Sequence, residues 1–172
     1  MTKKAALLKA AENKVRLGGY SNFSFRELAN EIGIKSASVH YHFPTKADLG
    51  AELAHQYTNA FMLVLGDPDA LKANGKNPID IYTQLFRNAL VIDKKMCLCG
   101  LLGAESDSLP DKVRVEVQRF FNKNLAWLTQ AHAANGEENP ARAAIQTVSL
   151  LEGAMIISKT LDDISYFEQA TF

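Results

Sequence analysis

Apolar residues recur every three or four positions along most of the chain, and this spacing predicts a protein built from α-helices. Together with the Gly and Pro breaks, the pattern predicts five long helices, over residues 3–18, 46–65, 78–93, 110–134 and 140–161. Residues 66–77, GDPDALKANGKN, have the composition of a loop, and residues 94–108 contain a short apolar segment. No stretch has a convincing strand pattern, so the predicted fold class is all-α.

Residues 24–49, SFRELANEIGIKSASVHYHFPTKADL, predict two short helices joined by a tight turn and followed by a longer helix. Ser24 and Glu27 match a capping box at the start of the first short helix. Gly33 permits a left-handed turn after it, and Pro44 ends the second. This pattern is a helix-turn-helix. With the helix over residues 3–18 it should enclose a small core, formed by Leu7, Ala10, Val15, Phe23, Leu28, Ile32, Val39 and Phe43.

The outward face of the second short helix is small and polar, and it carries Ser36, Ala37, Ser38, His40 and Tyr41. Small side chains let a helix approach a groove closely, and Ser, His and Tyr can donate hydrogen bonds to phosphates or bases. A helix that faced only water would contain more Lys and Glu. The pattern favours DNA binding over its alternative, a solvated helical hairpin.

The run GIKSASVHYHFPTKADL resembles the N-terminal domain of the tetracycline-repressor (TetR) family of bacterial transcriptional regulators. The resemblance extends from about Lys4 to Ala54 and includes the glycine, the aromatic triplet and Lys46 in order. His40 departs from it, because the family usually has a phosphate-binding Tyr there. We expect base-edge contacts from Arg26, Ser36, Ala37 and Ser38, phosphate contacts from Ser24, His40, Tyr41 and Lys46, and a DNA-facing position for Lys35.

The formal net charge of the 172 residues is zero, which taken alone argues against a nucleic-acid binder. Residues 1–56, however, contain eight Lys or Arg and five Asp or Glu, whereas the remainder contains eleven and fourteen. The basic excess of three therefore lies with the helix-turn-helix, where an electrostatic footprint on DNA belongs.

The sequence predicts two domains, a DNA-binding domain over residues 1–45 and a helical ligand-binding and dimerisation domain over residues 46–172. The last two long helices are apolar on more than one stripe, and such helices need two partners. Both partners could lie within one chain. We favour a homodimer through a four-helix bundle, as the family resemblance also implies, with an interface formed by Phe121, Leu125, Leu128, Val148, Leu151 and Met155.

The C-terminal domain should also contain a mainly apolar ligand pocket. We expect it to be lined by Phe61, Leu65, Phe86, Leu90, Leu101 and Phe120. Aromatic and aliphatic residues with few charges suit a hydrophobic or aromatic small molecule. The alternative is a solid core without a cavity, since close packing is the norm in protein interiors.

Enzyme and metal-site interpretations find little support in the sequence. It contains no phosphate loop, no HExxH motif and no nucleophile elbow, so we expect no catalysis and no cofactor. Cys97 and Cys99 lack the second pair that a structural zinc site needs, so we expect no metal. They are either packing residues or thiols that sense oxidants or electrophiles. With no membrane span or signal peptide in its pattern, the protein is expected to be cytoplasmic.

The predicted function is a ligand-responsive transcriptional regulator, most simply a repressor. It would bind a palindromic operator in double-stranded DNA as a homodimer and be released by a small, mainly apolar inducer. The alternative from another class is a helical module that binds small molecules or proteins and has no DNA role.

Overall fold

The computed structural model describes residues 2–171, and within them the chain forms ten α-helices and no β-strand. The helices are α1 (Lys3–Gly18), α2 (Phe25–Glu31), α3 (Ser36–His42), α4 (Lys46–Leu65), α5 (Pro68–Ala73), α6 (Pro78–Val91), α7 (Leu98–Ala104), α8 (Asp111–Ala134), α9 (Pro140–Leu161) and α10 (Ser165–Thr171). A 3₁₀ turn, Ser106–Ser108, precedes α8. The predicted all-α fold is confirmed, and the five long helices lie within two residues of their expected bounds.

The helix ends in the N-terminal region follow from local side-chain chemistry. The Ser24 hydroxyl accepts a hydrogen bond from the Glu27 N–H, and the Glu27 carboxylate accepts one from the Ser24 N–H, so the predicted capping box is present. Asp48 and Thr45 form the same reciprocal pair at the start of α4. Gly33 adopts φ +70°, which L-residues with a side chain rarely adopt. The caps therefore fix the starts of α2 and α4, and Gly33 forms the turn between α2 and α3.

The predicted core of the first three helices is confirmed with one exception. Seven of the eight expected side chains are at most 4 % exposed, whereas Ile32 is half-buried. Leu17, another apolar residue of α1, is 66 % exposed. It lies one residue before the end of α1, and the chain turns away from the helix axis at Gly19 with φ +79°, so no neighbouring element covers it.

The sequence pattern left three short helices unpredicted, which are α5, α7 and the C-terminal α10, and the first two lie between predicted long helices. Helix α5 lies inside the expected loop of residues 66–77, and its start is encoded locally, since the Asp67 carboxylate caps the Ala70 N–H and Pro68 occupies the first turn. Helix α7 covers half of the apolar segment after residue 94. Both are six or seven residues long, too short for apolar periodicity to reveal.

The chain divides into two compact units. The first unit contains Met1–Thr58 and Leu98–Phe120, and the second contains Asn59–Cys97 and Phe121–Phe172. Helices α4 and α8 each contribute residues to both units. The expected boundary between residues 45 and 46 concerns function, and it stays a prediction. Among the described residues no helix combines the length and the apolar character that a membrane span requires.

Candidate nucleic-acid interface

The residues expected to face DNA lie on and beside α2 and α3, and most of them are open to solvent. Seven of the nine are exposed, and Ser38 and Lys46 are half-buried. Tyr41 is 85 % exposed although it is a large aromatic residue, while its neighbour on the inner side, Val39, is fully buried. Helix α3 therefore places its apolar residues in the core of the first unit and presents hydroxyl and imidazole groups outward.

Ser24 has a structural task that limits its contact with DNA. Its hydroxyl donates to the Glu27 Oε2 at 2.9 Å, so its only proton is already in use. The hydrogen bonds from Ser24 also lower the pKa of Glu27, which keeps this carboxylate ionised at the first turn of α2. A phosphate contact through the Ser24 hydroxyl would have to replace the bond to Glu27, and this contact stays a prediction.

His40 is held by two neighbours. Its ring lies edge-on to Phe25, with 4.9 Å between ring centroids, and its Nδ1 is 3.3 Å from the Pro44 carbonyl oxygen. A carbonyl can only accept, so the Nδ1 carries the proton and donates. In the neutral ring the Nε2 then has no proton to offer a phosphate. The predicted phosphate contact of His40 would accordingly need the imidazolium form.

Lys46, expected to bind phosphate, has its ammonium group directed into the first unit. The Nζ donates to the Phe23 carbonyl oxygen at 2.7 Å and lies 4.3 Å and 4.9 Å from the ring centroids of Phe23 and Tyr20. Cation–π contacts of this kind contribute roughly 0.5–2 kcal/mol. Burial lowers the pKa of Lys46. The side chain thus joins the start of α4 to the loop between α1 and α2, and this contact competes with one to DNA.

Glu105 holds the same loop and was not singled out by the sequence. Its Oε2 accepts the Tyr20 N–H at 2.9 Å. A Cβ on Gly19 would lie 1.9 Å from the Glu105 Oε1, so only glycine allows this approach. The pair Gly18-Gly19 did mark a special backbone position. Its partner lies 85 residues away in sequence, and no local pattern indicates it.

The start of α4 is tied to α8 within the first unit. The Lys112 Nζ donates to the Asp48 Oδ1 at 2.6 Å, and hydrogen bonds from Lys112 and Thr45 lower the pKa of Asp48. Gly50 provides close packing, because a Cβ there would lie 2.7 Å from the Tyr20 ring and 3.0 Å from Val113. The helix-turn-helix therefore rests on a scaffold that includes residues more than 50 positions further along the chain.

The residues expected to line a ligand pocket fall into different places. In the second unit, Phe61 contacts Phe86 edge-on at 6.0 Å, Leu65 is buried, and Leu90 lines a cavity of about 290 Å³ beside Val91 and Ser158. Leu101 and Phe120 belong to the first unit. A single pocket lined by all six stays a prediction.

Most of the residues expected at a dimer interface are buried within the second unit. Leu128, Val148, Leu151 and Met155 are at most 7 % exposed in the single chain, while Phe121 and Leu125 are half-buried. A contact with a partner chain through α9 would instead use the exposed apolar side chains, which are Ile145, Leu150, Ile156, Ile157 and Leu161.

Within residues 2–171, no group of three or more His, Cys, Asp or Glu side chains could hold a metal.

Comparisons with known proteins place this arrangement in a family. The profile described as "Bacterial regulatory proteins, tetR family" matches residues 7–53, which run from α1 into α4. A TetR transcriptional regulator from Legionella pneumophila superposes with a TM-score of 0.89 and 30 % sequence identity, covering 99 % of this chain and 94 % of that one. The chain belongs to the TetR family.

Other solved structures agree with the TetR assignment. A TetR-family regulator from Agrobacterium tumefaciens is 25 % identical, with a TM-score of 0.84 and coverage of 98 % and 93 % of the two chains. The regulatory protein TetR from Rhodobacter sphaeroides, 20 % identical over 97 % and 94 %, shares the fold with a TM-score of 0.86. A search of curated proteins finds no match.

Family membership decides between the two functions that the sequence left open. The protein is a DNA-binding transcriptional regulator of the TetR family, as the sequence predicted, and the comparisons give no support to the alternative of a helical module without a DNA role. Helices α2 and α3 form its helix-turn-helix, in an N-terminal domain that also contains α1, and the later helices form a helical C-terminal part like that of TetR structures.

Proposed function

We propose that this regulator is a repressor that binds a palindromic operator as a homodimer and is released by a small, mainly apolar molecule. The observation that carries the DNA part is the outward face of α3, where Ser36, Ala37 and Tyr41 are exposed beside Arg26 of α2. An Arg fork can read guanine O6 and N7, and small residues allow the helix to enter the major groove.

Binding to DNA from upstream of the protein's own gene, followed by fluorescence anisotropy, tests this proposal. Arg26→Ala should lose roughly 1–3 kcal/mol of binding free energy and relax the preference at one operator position. Lys76→Ala is the control, because Lys76 is an exposed cation in the turn before α6, in the second unit, and should leave binding unchanged. An equal loss on every operator variant would assign Arg26 to a phosphate, and no binding to any upstream fragment would contradict the proposal.

The dimer is proposed from the exposed side of α9. At about 100° per residue, its five exposed aliphatic side chains fall within roughly 160° of the helix circumference, with Ser149 and Gly153 between them. A Cβ added at Gly153 would meet nothing within 4 Å, so the centre of this face is open. An apolar face with small central residues suits close packing against a second copy, and a two-fold dimer would provide two recognition helices.

Sedimentation equilibrium tests the dimer. Ile156→Glu should shift the protein towards monomer, since a carboxylate would be buried against its copy. Leu63→Glu is the control, because Leu63 is 83 % exposed and lies on α4. A parent protein that is monomeric at micromolar concentration, or an Ile156→Glu variant that remains dimeric, would contradict an interface through this face.

The ligand part is proposed from the apolar and aromatic side chains of the second unit. Phe61, Tyr82, Phe86 and Trp127 form a continuous ring cluster, with centroid separations of 5.4–6.0 Å. Such a group suits a hydrophobic or aromatic compound. The compound would act only through its different affinity for the DNA-binding and released states.

As a regulator of transcription the protein is expected to work in the cytoplasm, beside the chromosome.

A further inference from the structure

The second unit contains an acid whose carboxyl group is not fully paired. Glu152 lies on α9, and its Oε1 is enclosed by protein atoms without a hydrogen-bond partner among residues 2–171. The carboxyl group hydrogen-bonds to the Cys97 thiol. One thiol proton can satisfy only one carboxylate oxygen. The second oxygen is therefore an acceptor that the described chain leaves unused.

The Tyr82 hydroxyl, which lies close enough to Glu152 for the two to interact electrostatically, cannot serve that oxygen. The Tyr82 hydroxyl donates to the Asn124 Oδ1 at 2.8 Å, so its single proton is committed. Burial, and then the proximity of Cys97 and Glu152, raise the pKa of Tyr82, which keeps the phenol neutral. Tyr82, Cys97 and Glu152 thus form one neighbourhood, in which the carboxyl group of Glu152 can carry a negative charge near neutral pH because burial raises its pKa to about 7.

Aromatic rings surround the tyrosine of this neighbourhood. Tyr82 stacks on Phe86 at 5.4 Å and on Trp127 at 5.7 Å, and Phe61 meets it edge-on at 5.6 Å. The faces of such rings carry negative electrostatic potential and attract cations. A negative carboxyl group and electron-rich rings favour the same kind of ligand, and both disfavour an anion.

The structural alternative is that Glu152 is simply a neutral, buried acid. Burial raises the pKa of Glu152 to about 7, so near neutral pH it exists both as acid and as carboxylate. A neutral acid would still leave the Oε1 without a donor if its own proton were on the other oxygen, and buried polar atoms normally find partners. A donor supplied by a ligand would give the unused acceptor its partner.

We propose that Glu152 is the charge-recognition residue of the inducer site and that the inducer is a lipophilic amine. Its apolar body would pack against the ring cluster of Phe61, Tyr82, Phe86 and Trp127, and its ammonium group would donate to the Glu152 Oε1. This inference rests on the proposed ligand response and makes it specific, because it selects a cation among mainly apolar compounds. It predicts that a neutral or anionic compound of the same shape binds more weakly.

A set of three probes with one carbon skeleton tests the proposal in the intact protein. These are 4-phenylbutylamine, 4-phenylbutan-1-ol and 4-phenylbutyrate, titrated at about pH 8, where the carboxyl is mostly ionised and the amine protonated. Trp127, the only tryptophan, belongs to the ring cluster and reports binding by its fluorescence. We expect the amine to bind at least about tenfold more tightly than the alcohol, and the carboxylate to bind most weakly.

Glu152→Gln should reduce the affinity for the amine to that for the alcohol and leave the alcohol unchanged. Glu138→Gln is the matched control, because Glu138 is an exposed glutamate in the turn before α9. An amine preference that survives in Glu152→Gln would overturn the assignment of Glu152. Equal affinity of the parent for amine and alcohol would overturn the proposal without any variant, so the test does not depend on the folding of Glu152→Gln.

Operator binding separates this inference from the function on which it rests. If the parent binds its operator and a neutral apolar compound releases it while the amine does not, the repressor stands and the amine proposal fails. If no upstream DNA binds, the repressor fails, and the amine preference is still decided by fluorescence. Release of the operator by 4-phenylbutylamine in the parent, but not in Glu152→Gln, is the expected result.

Discussion

Replacing Glu152 by Gln should make the protein more stable at neutral and alkaline pH. Folding raises the pKa of this carboxyl from 4.5 to about 7, chiefly because burial disfavours the charged form. Between those two values the folded chain keeps a proton that the unfolded chain has lost. The contribution of Glu152 to stability is therefore complete below about pH 4.5 and is lost as the pH rises to about 7.

The size of the effect follows from the shift. One pKa unit corresponds to about 1.4 kcal/mol, so a rise from 4.5 to about 7 corresponds to about 3 kcal/mol. Glutamine has the same shape and no charge to bury. The free energy of unfolding of Glu152→Gln, relative to that of the parent, should thus increase by about 3 kcal/mol between pH 4.5 and pH 8.

Urea denaturation followed by Trp127 fluorescence measures this difference, because the tryptophan lies in the same unit as Glu152. Because variant and parent are compared at the same pH, titrating groups that the substitution does not affect cancel in the difference between their free energies of unfolding. A difference that does not change with pH would show that the carboxyl has its ordinary pKa in the folded chain. A difference that falls as the pH rises would refute the reasoning outright, since it would mean that folding favours the carboxylate.

Three further outcomes are expected. Lys46→Met should destabilise the first unit by roughly 1–2 kcal/mol, because the Phe23 carbonyl loses its donor, and should leave the salt dependence of DNA binding unchanged. A decrease of about one in the slope of log K against log salt concentration would instead assign Lys46 to a phosphate. Gly19→Ala should cost more stability than Glu105→Ala, because it adds both a clash and a strained φ of +79°, as thermal denaturation will show. Operator binding after mild peroxide or N-ethylmaleimide should be the same for the parent and a Cys97→Ser/Cys99→Ser double variant, since both thiols are at most 2 % exposed; a difference would revive the sensor hypothesis.

The local features of the N-terminal region were accessible from sequence because each is encoded within a few residues. The capping box of Ser24 and Glu27, the turn at Gly33 and the end of α3 before Pro44 need no knowledge of the rest of the chain. The same is true of the inward residues of α1 to α3, whose spacing is helical. The family resemblance rested on these features, and the comparisons confirmed it.

The contacts that hold the N-terminal region in place could not be predicted from the sequence, because they join residues far apart in the chain. Glu105 reaches the Tyr20 N–H from 85 residues away, and Lys112 reaches Asp48 from 64 residues away. The phosphate contact of Lys46 stays a prediction, and the long-range contacts of its side chain were not visible in the sequence. Its place at a helix start suggested a phosphate contact, while the carbonyl and rings that its ammonium meets lie 23 or more residues earlier in the chain.

The buried side of α9 could not be identified from the spacing of its apolar residues alone. Counting apolar stripes indicated that this helix needs two partners, but it could not tell the inner stripe from the outer one, and Leu151 and Met155 are internal. Glu152 is the only charged residue between Arg142 and Lys159, and that isolation was a readable signal. A lone acid in an apolar helix is either exposed to solvent at the edge of the apolar stripe or buried because it has a function there. Only the position of Cys97, 55 residues earlier, and the enclosure of the Oε1 favour the second explanation.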